Sequence, residues 1–406
     1  MKADVSMDDL VYPFGRQDAD TPALEYAWLR EHHPLARVTT TYGTDAWLVT
    51  GYETVRSILS DDRFSSRMPV TSGAEMPEPR DDPTRSLFNI DPPDHTRLRR
   101  VLAGAFTAAQ IQQRRDAMTT LARGLVDELV ETRSTADLIT CFVVPFTTGV
   151  IWDLLAVPPN LRPDFAQWVL DHQAIREPSW DPNPDTNPVL INRISLRRHV
   201  EELIAARRDD LGDDVVSRLI KARDAGEIDD DADVVVQLTG LIIAAYEPAF
   251  NTLGLALLAL LADPERLRSL RSRPEAVPAA IEELLRHLAP TDIGFVRVAS
   301  EDVEIGTEKV HAGEILILSL ESANHDENVF AAADRLVLDR SPNPHMAFGH
   351  GRHHCLGAPL ARAELAVALT TIAERLPTLR LEVPPESVPR RTALAQLGPL
   401  ELPVSW

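Results

Sequence analysis

Cysteine is nearly absent, with two in 406 residues, Cys141 and Cys355. Two thiols cannot build a disulfide framework, and such sparing use fits a reducing compartment, so a cytoplasmic location is expected. Positive charge is short too: 41 Lys and Arg stand against 62 Asp and Glu, a net of -21. Nucleic acid is therefore not an expected partner, because phosphate binding needs a basic face. The first residues, MKADVSMDDLVYPFGR, contain no apolar core and no cleavage site, so no leader is expected. No unbroken apolar run is long enough to suggest a membrane. The most apolar region, Val234 to Ala262, is divided by Glu247 and Pro248. Neither part reaches the roughly 20 residues a span requires. Repeats and low-complexity tracts are also missing. These absences predict a soluble, monomeric globular chain, with length enough for a large core in a single domain over 1–406.

What is present is mostly helical spacing. Residues 113–132, 194–225 and 278–288 mix apolar and charged positions at three- and four-residue intervals. Strand signals are few. Residues 36–50 alternate and turn at Gly43, predicting a hairpin, and 303–320 reads as short strands turning at Gly306 and Gly313. Two Pro- and Asp-rich stretches, 67–94 and 176–188, read as long loops. The fold class expected is mainly α with minor β.

The densest motif is AFGHGRHHCLGAPLARAELAVAL, 347–369. A glycine-rich loop ends at Cys355, and a helix with Pro359 in its first turn follows. Free N–H groups and the macrodipole at that helix start favour an anionic sulfur, a good metal ligand. Three readings follow. Cys355 is a structural core residue, or it joins His350, His353 and His354 around zinc, or it is a single axial thiolate to haem iron. Four zinc ligands within six residues cannot easily surround one ion.

The motif resembles the haem signature of the cytochromes P-450, Phe-x-x-Gly-x-(Arg/His)-x-Cys-x-Gly. Phe348, Gly351, His353, Cys355 and Gly357 match it. Three further matches occur in family order: the Glu-x-x-Arg pair Glu283 and Arg286, with Arg340 as third ion-pair partner, the stretch DPPDHTRLRRVLAGAF, 91–106, and the ending LGPLELPVSW. The resemblance spans roughly 10–406 and is strongest to soluble bacterial members. It implies the cytochrome P-450 fold, with haem b held between a long distal helix and a proximal cysteine loop and helix. It further implies Cys355 as the iron ligand, and His95, Arg99, Arg297 and His353 as cations for the haem propionates. Glu283, Arg286 and Arg340 would form a structural network. Cys141 is expected to be plain core.

The family's distal helix usually carries Ala-Gly-x-(Glu/Asp)-Thr-Thr, in which the acid and first Thr guide protons toward dioxygen. Here Ala244, Ala245, Tyr246, Glu247, Pro248 and Ala249 align with it, so the acid is present and both hydroxyls are gone. Helical spacing draws a stripe of Gly240, Ala244, Pro248 and Asn251 toward a flat ligand. Pro248 is expected to break the helix, at a cost of roughly 3 kcal/mol, and Glu247 to face a wet groove. A positioned proton donor contributes about 10²–10⁴-fold to such chemistry, so its loss shapes the functional reading. Glu247, Pro248, Ala244 and Asn251 are the catalytic candidates, and Phe88, Tyr246, Ile293, Phe295 and Leu397 the substrate-pocket candidates.

Family members lacking the Thr include ring-coupling enzymes, some acting on aromatic cyclic dipeptides, and substrate-assisted hydroxylases. The reading that follows is an oxidase of an apolar, aromatic natural-product intermediate, with oxidative C–C or C–N coupling ahead of hydroxylation. A haem sensor or carrier without turnover is the alternative of a different class. Electrons are expected from a ferredoxin and its reductase, since no flavin or iron–sulfur segment is seen. Arg97, Arg100, Arg352 and Arg362 are expected to form a cationic patch for an acidic ferredoxin.

Overall fold

The computed structural model describes residues 10–15, 21–41, 43–67, 86–175, 183, 185–288, 294–391 and 397–406. Helices dominate, and the strands gather at one side and at the carboxyl-terminal end. The expected hairpin forms from Leu35–Thr40 and Asp45–Val49, paired antiparallel with Arg37 opposite Trp47. Alternation along the first strand buries Ala36 and Val38, as period-two spacing requires. Ile315–Leu318 joins this hairpin in parallel and pairs antiparallel with Phe295–Ala299, in a register that sets Arg297 opposite Leu316. A small ribbon of Val303–Ile305 and Glu308–Val310 lies between these strands in sequence.

Of the expected helices, 113–132 lies inside Ala108–Thr132, whose first turn is capped by the Thr107 hydroxyl accepting from the Gln110 N–H. The region 194–225 forms two helices, Pro188–Arg207 and Val215–Asp224, not one. The chain between them, DDLGDD, holds helix-disfavouring Asp and Gly, and Asp214 starts the second helix by accepting from the Ser217 N–H at 2.8 Å. The carboxyl-terminal stretch serves two sheets. Gly398–Pro399 pairs with Arg390–Arg391, while Pro403–Ser405 lies between Arg380–Leu381 and Thr135–Asp137.

The longest helix, Asp231–Leu261, continues for 31 residues without interruption at Pro248. The expected break is absent. What proline removes is one donor, the N–H that would bond the Ala244 carbonyl, and packing on Val144–Leu154, Pro188–Arg207 and Gly398–Pro399 holds the flanking turns in line. The helix is therefore long and apolar enough to cross a membrane, so the length argument from a broken run does not apply. Two thirds of its most apolar window (67%) is instead buried inside the protein.

Beneath it, Val277–His287 and Ala358–Arg375 complete the largest core cluster. Glu283 and Arg286 are fully buried and joined by two hydrogen bonds of 2.8 Å. Arg340 Nε donates to the same carboxylate at 2.9 Å, as does the Val337 N–H. Arg286 also donates to the carbonyls of Asn324 and Ala333, at 2.8 and 2.9 Å. Burial pushes the Glu283 carboxyl up, but the Arg286 and Val337 donors outweigh it and hold the group below its ordinary range. The network ties the helix to the chain leading into the cysteine loop.

Candidate functional site

A cavity of about 420 Å³ opens between the long helix, the cysteine loop and the strand bearing Arg297. Its volume and mostly apolar lining are those of a small-molecule or cofactor site. On one side the loop 347–357 approaches so closely to helix Tyr52–Ser60 that a Cβ on Gly351, itself at φ +69°, would lie 2.2 Å from the Leu59 carbonyl oxygen. Only glycine fits there. The Cys355 N–H donates to the Phe348 carbonyl at 2.8 Å, closing the loop below the cavity. Ala358–Arg375 then begins, with Gly357 ahead of it and Pro359 in the first turn.

Cys355 lines the cavity, and its exposed surface opens into it. Burial pushes its thiol above the ordinary value, and the N–H groups of Gly357 and Ala358 together with Arg99 draw it back without cancelling the rise. A cation at the sulfur would supply the charge that favours the thiolate. Among the described residues no three His, Cys, Asp or Glu side chains converge on a common point, so Cys355 would be a lone protein ligand.

Around the rim stand the four expected cations. His95, from helix Asp94–Ala103, and His353 have rings 4.1 Å apart, and the Nε2 atom of each is buried without a hydrogen-bond partner. Burial, reinforced by Arg99, holds His95 down to about 4, and burial reinforced by His95 and Arg297 holds His353 to about 3. Arg297 is depressed by burial to about 10 and donates to the Val296 carbonyl at 2.8 Å. Arg99 donates to the His354 carbonyl at 2.7 Å. Two orphaned imidazole nitrogens beside two guanidiniums form a donor set suited to anions. A flat apolar ligand with carboxylates on one edge, seated over the sulfur, fits these residues.

Across the cavity the long helix presents Leu241, Ala244, Ala245, Pro248, Ala249 and Thr252. Two catalytic expectations change here. Glu247 does not line the cavity. Its Oε1 meets His172 Nε2 at 2.6 Å, on helix Arg162–Ala174, and its side chain is 26% exposed. Asn251 is fully buried on another face, where its Nδ2 donates to the Glu247 carbonyl at 2.9 Å and its Oδ1 would touch a Cβ on Gly398. The cavity stripe therefore continues from Pro248 to Thr252, a step of four residues, not to Asn251. Spacing alone could have found Thr252. Nothing local marks His172, which lies 75 residues from Glu247.

Among the pocket candidates, Phe88 and Phe295 line the cavity and are 45% and 41% exposed. Tyr246 and Leu397 do not line it. Tyr246 is fully buried among Trp168, His172 and Phe250, and its hydroxyl accepts from Gln173 Nε2 at 2.6 Å. Leu397 is buried at the start of the terminal hairpin. Ile293 lies outside the described residues, as do 68–85 and most of 176–184. Cys141, expected as core, is half-buried, with Arg133 Nη1 at 3.4 Å from its sulfur. Glu364, which the sequence reading passed over, lines the cavity floor.

A family model of cytochrome P450 matches residues 275–398. Nocardicin C N-oxygenase of Nocardia uniformis subsp. tsuyamanensis is 40% identical over 410 residues, covering 98% of this chain and 99% of that one. Mycinamicin IV hydroxylase/epoxidase of Micromonospora griseorubida is 37% identical, covering 99% and 100%. The chain belongs to the cytochrome P-450 family. The solved structure of cytochrome P-450mel 107F1, described as having biaryl coupling reactivity, superposes with a TM-score of 0.86 at 35% identity, covering 98% of this chain and 99% of that one. As a P-450 it is an oxidoreductase whose cofactor is haem with an axial cysteine thiolate, and it takes electrons from a redox partner and binds a small-molecule substrate. Haem supplies the one-electron and dioxygen chemistry. The protein's part is to hold it, exclude water and place substrate and protons.

The expected cationic patch is largely neutralised in this P-450. Arg97 meets Asp94 at 3.1 Å, Arg100 meets Glu227 at 2.9 Å, Arg362 meets Glu282 at 2.7 Å, and Arg352 pairs with Asp62.

Proposed function

We propose that this P-450 oxidises an apolar, aromatic natural-product intermediate, and that its reaction is oxidative C–C or C–N coupling. The observation that carries the reading is the hydroxyl-free turn of the long helix where the family carries its two Thr: Ala244, Ala245, Pro248 and Ala249 line the cavity, while the neighbouring acid is turned away to His172. Coupling takes two hydrogens from the substrate and inserts no oxygen; the two protons that dioxygen reduction still consumes would then come through water or a substrate N–H or O–H, in place of a helix hydroxyl whose contribution is about 10²–10⁴-fold. Phe88 and Phe295 offer exposed aromatic faces to a planar substrate. In this reading Cys355 ligates the iron, His95, Arg99, Arg297 and His353 hold the propionates, and Glu283, Arg286 and Arg340 keep the cysteine loop in place. A monomeric chain acting as one domain receives its electrons from a ferredoxin and ferredoxin reductase.

A second reading, oxygen insertion at a heteroatom, is favoured by two specific facts. Thr252 lines the cavity one turn beyond Pro248, and a relative 40% identical over its length is named an N-oxygenase. Aromatic cyclic dipeptides and aromatic amines turned over under ¹⁸O₂ decide between them. A coupled product without label is expected. Labelled product with no coupled product overturns the first reading, and a Pro248→Thr variant should then raise that labelled yield.

A further inference from the structure

Outside the cavity, Arg362 occupies an unusual position. It lies in the first turns of Ala358–Arg375, directly after the cavity-lining Ala361. Its Nε and Nη2 donate to the two oxygens of Glu282 at 2.7 and 2.8 Å, a bidentate clamp. Its guanidinium carbon sits 4.6 Å from the centroid of the Phe348 ring, and Phe348 is the residue whose carbonyl receives the Cys355 N–H. The clamp has a third member. The Ala347 N–H donates to His345 Nδ1 at 3.2 Å, so the ring proton belongs on Nε2, which donates to Glu282 at 2.9 Å. His345 thus ties the cysteine loop to the carboxylate that aims Arg362. The network fixes a cation behind the loop, against the ring of the residue whose carbonyl accepts from the Cys355 N–H.

We propose that Arg362, aimed by Glu282 and His345, is a positioning residue that sets the reduction potential of the haem bound at Cys355. When one electron arrives from the donor, the site gains a negative charge and no bond breaks. A fixed cation nearby favours that reduced state, and the Glu282 carboxylate partly offsets it.

The test is a spectroelectrochemical titration of the substrate-free holoprotein, with the carbon monoxide spectrum of each variant showing that the thiolate is retained. Arg362→Gln is expected to move the midpoint to more negative potential and Glu282→Gln to more positive potential. Each change in the reduction equilibrium should be about threefold or more, near 30 mV for one electron. Arg362→Lys, which keeps the charge, should stay close to the parent. Opposite signs separate tuning from mere packing, since a structural lesion moves both variants the same way. Shifts of one sign in both, or none in either, overturn the proposal. If Arg362→Gln does not retain haem, Glu282→Gln decides by rising or failing to rise.

Discussion

Glu364 sits on the cavity floor, 5% exposed, and burial alone pushes its carboxyl up to about 8. At neutral pH it is a carboxylic acid, not a carboxylate. In the unfolded chain the same group ionises near 4.5, so between about 4.5 and 8 the folded state holds a proton that the unfolded state has released. The penalty on folding therefore grows as pH rises through that window, reaching a few kcal/mol in order of magnitude. Glu364→Gln should stabilise the protein at pH 8 and hardly at all at pH 5, read as denaturant midpoints at both. A gain independent of pH would show that the carboxyl does not titrate there. Buried histidines act in the opposite sense. Burial holds His325 down to about 3 and His287 to about 4. Unfolded imidazoles protonate below 6.5 while these do not, so stability should drain away as pH falls from 6.5 toward 4. His325→Gln should flatten that limb in acid-unfolding curves, and an unchanged limb would assign the acid sensitivity to other groups.

A helix that carries proline and stays continuous has its neighbours to thank. In Asp231–Leu261 the one missing N–H leaves the Ala244 turn without its internal bond, beside the cavity. Pro248→Ala restores that donor and should raise stability by about 1–3 kcal/mol in urea unfolding. No gain would mean that the turn is already relaxed around the ring. The proline was legible in the sequence, whereas its consequence was not, because local propensity reports a cost and tertiary packing decides whether the helix bends. The same division holds across the site. Phe348, Gly351, Cys355 and Gly357, and the pair Glu283 and Arg286, lie close in sequence, and spacing brings them together almost by itself. Which face of the long helix meets the cavity is set by distant chain. Gly398, where any Cβ would strike the Asn251 amide, leaves room for that side chain away from the cavity, and His172 captures Glu247. No local pattern around Asn251 or Glu247 announces those contacts. Likewise Tyr246 is read as pocket or core only once Trp168 and Gln173 are seen to claim it.

At the scale of the whole molecule, charge governs how the electron donor arrives. The net charge is -21, and each of the four arginines expected to greet an acidic donor is paired with a carboxylate of its own chain. Ion pairs this close present dipoles to solvent, and their field fades within a Debye length of about 8–10 Å at ordinary salt. Long-range steering of an acidic ferredoxin by that surface is therefore weak, and the repulsion of two acidic proteins works against it. Strong steering shows itself as a rate that falls steeply with ionic strength. Here the rate of the first electron transfer from an acidic ferredoxin should change by less than about threefold between roughly 0.05 and 0.3 M salt. Removing the competing carboxylates with Asp62→Asn and Glu227→Gln frees Arg352 and Arg100, so the double variant should react faster at low salt and lose the gain at high salt. A tenfold fall in the parent over the same range would mean that donor carboxylates displace the internal partners on docking, and that the neutralised face opens when its partner binds.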